Sequence, residues 1–127
     1  MKNDYKNTIF KVIDLDCRTF DNSEGIIKLI REKFGFIDSY GINGGYALAD
    51  CLKDLRRKRK EEGLIHMVLE ENEVIILNVI NISYNKEKLT SWLVRVVESV
   101  NGYFEATGYK PAILLNFTNK FNQFINE

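Results

Sequence analysis

The sequence predicts an α/β fold in which a small three-stranded sheet, parallel or mixed, is covered by three to four helices. Three observations carry that expectation. Apolar runs rich in β-branched residues recur at 8–15, 74–82 and 111–117. Between them the apolar residues return every three or four positions, the spacing of a helix with one buried face. Long helical connections between strands favour parallel pairing, because a parallel neighbour is reached only by a crossover. A fourth strand is added if residues 64–69 also pair.

The bulk properties fit a single domain. A chain of 127 residues can bury a core without staples, and with one proline, Pro111, and no Ser/Gly-rich tract it offers no linker, so 1–127 is read as one unit. Hydrophobic residues make up 45% and charged residues 28%, as in an ordinary globular protein. Basic and acidic side chains balance at 18 each, so bulk charge selects no partner and argues against direct nucleic-acid binding. No apolar run approaches the ~20 residues of a membrane span, and no membrane partner is expected. The polar start Met1-Lys2-Asn3-Asp4-Tyr5 lacks the apolar core of a signal peptide, which makes the cytoplasm the expected compartment. Two cysteines, Cys17 and Cys51, are too few for a disulfide framework and read as structural thiols.

The elements follow in order. Thr8 to Leu15, with Ile9, Phe10, Val12 and Ile13, reads as a short strand. Asp21-Asn22-Ser23-Glu24 offers an N-cap with glutamate three residues later, a capping-box variant. Ile26, Ile27, Ile30 and Phe34 keep helical spacing, and Gly35 suits the left-handed position that closes a helix. A loop from Phe36 to Gly45 leads into a second helix, Tyr46 to about Glu62, closed by Gly63. Leu64–Leu69 and Val74–Ile82 flank Glu70-Glu71-Asn72-Glu73, and a hairpin is the simplest reading, with 64–69 as a mere approach segment the other. Val74-Ile75-Ile76-Leu77 is apolar on both faces, as a central strand should be. Leu89, Leu93, Val96, Val97, Val100 and Phe104 define the longest helix, from about Lys86 to Thr107, ended by Gly108. Pro111 to Phe117 is the last strand, and the tail 119–127 is expected to dock Phe121, Phe124 and Ile125.

The most specific local feature is Tyr40-Gly41-Ile42-Asn43-Gly44-Gly45 running into Tyr46-Ala47-Leu48-Ala49-Asp50-Cys51-Leu52. Three glycines in five residues make a turn able to approach a partner closely. The helix it enters should bury Ala47, Leu48, Cys51, Leu52 and Leu55. Tyr46, Asp50, Lys53 and Asp54 would then face solvent. An aromatic ring and two carboxylates on one face suit insertion into a positively charged cleft. The plainer alternative is a solvated face with the carboxylates paired to Lys53, Arg57 or Lys58.

This stretch resembles the barstar-like ribonuclease inhibitors, which carry a Tyr-Gly-x-Asn turn followed by an Asp-Ala-Leu-x-Asp-Cys-Leu helix. Tyr40, Gly41 and Asn43 match the turn, and Ala47, Leu48, Asp50, Cys51 and Leu52 match the helix. The turn is one residue longer, and Tyr46 stands where the family has its first helical aspartate. The resemblance implies a three-stranded parallel sheet with helices packed on it. It also implies a non-enzymatic inhibitor or immunity protein that blocks the active site of a bacterial toxin, a ribonuclease, in a one-to-one complex. In that role Asp50 would fill the enzyme's phosphate pocket, Tyr40, Gly41, Asn43 and Tyr46 would frame it, and Asp38 and Asp54 would extend the rim. The two departures point to a target other than the standard barnase-type surface.

Other chemistry is sparse. Arg56-Arg57-Lys58-Arg59-Lys60 reads as a solvated face near a helix C-terminus, where cations oppose the helix dipole. The glycine turn lacks the Lys-Ser/Thr pair of a P-loop, and no ligand cluster for a metal is present, so no cofactor is expected. His66, the only histidine, sits in an apolar run and reads as a strand-edge residue. Two other functions stay open at this level: a non-inhibitory binding module using the same surface, and a small enzyme pairing His66 with a cysteine.

Overall fold

The computed structural model describes residues 7–18, 22–36, 45–57, 65–82 and 87–118. Their order is β1 (Ile9–Asp16), α1 (Ser23–Phe34), α2 (Gly45–Leu52), a 3-10 turn (Lys53–Arg56), β2 (Glu73–Ile80), α3 (Glu87–Ala106) and β3 (Ile113–Thr118). The strands form a parallel sheet in the order β1-β2-β3, with β2 central. This is the predicted α/β architecture in its purely parallel form.

Strand periodicity divides the sheet into two faces. Leu15, Ile75, Leu77, Val79 and Ile113 enter one core with the apolar stripes of α1, α2 and α3. Phe34 and Phe104 are the largest side chains buried there; each contributes about 2–3 kcal/mol by leaving water. The opposite face carries a polar row in register. Asn78 Nδ2 donates to Asp14 Oδ1 at 2.9 Å, and Asn116 Nδ2 donates to Asn78 Oδ1 at 2.9 Å.

Local signals set the ends of α1. Asn22 is the N-cap, its side-chain oxygen accepting from the N–H groups of Glu24 and Gly25 at 3.1 and 3.4 Å. Gly35 closes the helix at φ 71°, a left-handed conformation that favours glycine, and a Cβ there would also crowd His66 Cβ at 3.1 Å. At the far end of the fold Asn101 fixes the entry to β3. Its Oδ1 accepts from Ala112 and Ile113 N–H at 2.9 and 3.1 Å, and its Nδ2 donates to the Ile113 carbonyl at 2.7 Å.

Two expectations are corrected. The described part of the 64–69 run, residues 65–69, does not form a hairpin with β2. Ile65 makes an isolated antiparallel bridge to Phe36, His66 N–H donates to the Gly35 carbonyl at 2.6 Å, and Leu69 N–H donates to the Leu55 carbonyl at 2.6 Å. Those partners belong to the end of α1 and the turn after α2, so 65–70 is an approach segment.

The second helix is also shorter than the reading to Glu62. It tightens into the 3-10 turn at Lys53, and Arg57 is already extended, with ψ 152°. The Leu55 carbonyl, which a longer helix would satisfy internally, instead accepts from Leu69, and the Asp54 carbonyl accepts from Arg57 N–H at 3.2 Å. Lys58, Arg59, Lys60 and the expected docking of Phe121, Phe124 and Ile125 lie outside the described residues.

Candidate functional site

The α2 face is built by its own buried stripe. Leu48, Ala49, Cys51 and Leu52 are buried, with Leu55 beneath them in the 3-10 turn. Their anchoring leaves the Asp50 side chain 74% exposed. Tyr46 contributes its backbone to the first turn of the helix. Asp38, Tyr40, Gly41 and Asn43 lie outside the described residues.

Asp50 is held by its neighbour. Lys53 Nζ lies 3.5 Å from Asp50 Oδ1, the pairing anticipated for a solvated face. An exposed pair of this kind is worth about 0–1 kcal/mol, so it orients the carboxylate at little cost to a partner that displaces it. Lys53 also sits over the ring of Tyr103 on α3, its Nζ 5.4 Å from the centroid.

Asp54 takes a different position. The tightening at Lys53 puts it in the 3-10 turn, on the wall of a cleft of about 410 Å³ shared with Lys53, Arg56, Arg57, Tyr103, Phe104, Thr107 and Tyr109. The two carboxylates therefore open onto adjoining parts of one surface. Both act on the buried Cys51 thiol, whose pKa is raised by burial first and then by Asp54 and Asp50, against a lowering by Arg31.

Arg56 and Arg57, the described part of the basic run, are not the solvated face that its composition suggests. Arg56 is 7% exposed. Its guanidinium donates to the carbonyls of Glu70 at 2.6 Å, Glu73 at 2.8 Å and Pro111 at 3.2 Å, and lies 5.7 Å from the Phe104 centroid. Burial draws its pKa below the ordinary arginine value, opposed by the charges of Glu73, Tyr109 and Glu71. Its Nε is buried without a hydrogen-bond partner among the described residues. Arg57 Nη1 donates to the carbonyls of Asp54 and Met67 at 3.1 and 3.3 Å.

The sequence reading missed the cleft. Its one local signal was Tyr103, an aromatic residue off the apolar stripe of α3 and 45% exposed. A thiol–histidine dyad gains no support: both thiols are buried, Cys17 is pushed up to about 11 by burial and by Asp16, and His66 is exposed. Among the described residues no group of three His, Cys, Asp or Glu side chains could hold a metal ion, and no helix is long and apolar enough to cross a membrane.

A parallel three-stranded sheet with helices packed on one face, presenting a carboxylate on its second helix, defines a small α/β binding scaffold. Residues 10–116 match the family model described as Barstar (barnase inhibitor). The chain belongs to the barstar family, a family of inhibitors rather than enzymes. No curated protein and no solved structure matches it.

Proposed function

We propose that this chain is an immunity protein that neutralises a bacterial toxin, a ribonuclease, by occupying its active site one to one. The observation that carries the reading is the exposure of Asp50 on a helix whose opposite side is locked in the core. A carboxylate fixed in place this way enters a cationic phosphate pocket with little loss of conformational freedom. By the family resemblance, Tyr40, Gly41, Asn43, Tyr46, Asp38 and Asp54 are the residues proposed to contact the toxin alongside Asp50. Family membership supports a nuclease as the partner class. Tyr46, in place of the family's first helical aspartate, and the longer glycine turn direct the surface to a relative of the barnase-type enzyme.

Co-expression with the product of the neighbouring reading frame tests the reading. Growth rescue with a stable one-to-one complex is the expected result. Co-purification without any toxicity to rescue would favour the non-inhibitory binding module instead.

A further inference from the structure

We propose that the cleft between the 3-10 turn and the C-terminal part of α3 receives an acidic side chain of the same partner protein, making the interface alternate in sign. Asp50 would meet a cation of the partner, and Lys53 would meet a carboxylate. The inference rests on the inhibitor reading and deepens it by giving the partner's surface a stated chemistry.

Charge carries the assignment first. The cleft wall holds three cations, Lys53, Arg56 and Arg57, against the single carboxylate of Asp54. Arg56 spends its hydrogen bonds on backbone carbonyls, and Glu73 and Glu71 are the carboxylates whose charges act on it, so Lys53 is the cation the cleft offers to a partner. The negative end of α3, which would repel an anion, is already quenched. The Tyr103 and Phe104 carbonyls accept from Thr107 Oγ1 at 3.1 and 3.0 Å, and Tyr109 N–H donates to Phe104 at 2.8 Å.

Preorganisation carries it further. The Lys53 side chain is 29% exposed, held between Asp50 and the Tyr103 ring. Tyr103 is a large, 45% exposed ring at the cleft mouth, the kind of amphipathic surface that anchors a protein contact. Continuity with the α2 face comes from Lys53 itself, one helical turn beyond Asp50, where side chains stand about 5–6 Å apart. A nucleic-acid strand fits less well, because the cations of the cleft wall form one compact cluster, suited to a single carboxylate, rather than a track along successive phosphates.

The test measures binding of the purified product of the neighbouring reading frame to the full chain and to Lys53→Glu, Tyr103→Ala and Asp50→Ala, each checked for an unchanged melting temperature. The proposal expects Lys53→Glu and Tyr103→Ala each to weaken binding about tenfold or more. It also expects reversal of one acidic residue on the partner to lysine to restore the Lys53→Glu complex. Should the two cleft variants bind like the parent while Asp50→Ala fails, the cleft assignment is overturned and the inhibitor function stands. If the parent does not bind at all, the inhibitor reading falls and the cleft assignment falls with it. In a parallel arm, hexauridylate shifting the Tyr103 and Tyr109 amide signals would overturn the assignment in favour of a nucleic-acid groove.

Discussion

Nη1 of Arg56 donates to the carbonyl oxygen of Glu70 at 2.6 Å, tying the turn after α2 to the turn before β2. The same guanidinium reaches Glu73 and Pro111, so one side chain joins three segments that meet beside the candidate interface. Charge-assisted hydrogen bonds of this kind contribute about 1.5–3 kcal/mol each when their loss leaves buried carbonyls unpaired. Arg56→Ala should therefore destabilise the fold by at least about 3 kcal/mol. Arg56→Lys should recover less than half of that, because a single ammonium cannot reproduce the planar fork. Urea denaturation of the three proteins measures both effects. A loss below about 1 kcal/mol for Arg56→Ala would show that the guanidinium's burial cancels its bonds.

Arg56 also marks where the sequence stops being legible. The strands and the ends of α1 could be read because their causes are local: β-branched runs, a capping signal that fell one residue before the observed Asn22 cap, and a left-handed Gly35. The break in the second helix has no local cause, since Lys53–Glu62 consists largely of good helix formers. It follows from partners 14, 17 and 55 residues away from Arg56, and from Leu69 capturing the Leu55 carbonyl. The site divides the same way. Asp50's exposure follows from the spacing of its buried neighbours, whereas the cleft needs Lys53 and Tyr103 brought together from two distant helices.

The thiols should be silent in the native protein. Cys17 is buried, its Sγ donates to the Leu15 carbonyl at 3.7 Å, and burial together with Asp16 holds its pKa at about 11. At about pH 8 roughly one Cys17 in a thousand is a thiolate. A colorimetric disulfide reagent should label neither cysteine until denaturant is added. The stability that this raised pKa contributes is complete below the free thiol's 9.0 and is lost as the pH rises through about 11. Rapid labelling of the folded chain would contradict the burial of both thiols.

Acid should weaken the turn before β2. The Glu70 N–H, bonded to Glu73 Oε1 at 2.8 Å, is the main cause holding the Glu73 carboxyl below 4.5, with Lys11 Nζ at 3.3 Å adding to it against the cost of burial. A depressed carboxylate pKa gives stability that is present above the unfolded value and lost as pH falls through the folded one. The urea midpoint of the parent should therefore drop more steeply between about pH 5 and about pH 3 than that of Glu73→Gln. Parallel pH profiles would remove Glu73 from the acid response.

The proposed role of Asp50 as the charged plug of a nuclease inhibitor is tested by titrating RNA cleavage by the neighbouring frame's product with parent and Asp50→Ala. The parent should abolish cleavage at equimolar ratio. Asp50→Ala, equally stable, should need about a hundredfold or more excess, since truncating one member of a buried interfacial charge pair costs several kcal/mol. Equal inhibition by both proteins would contradict the claim.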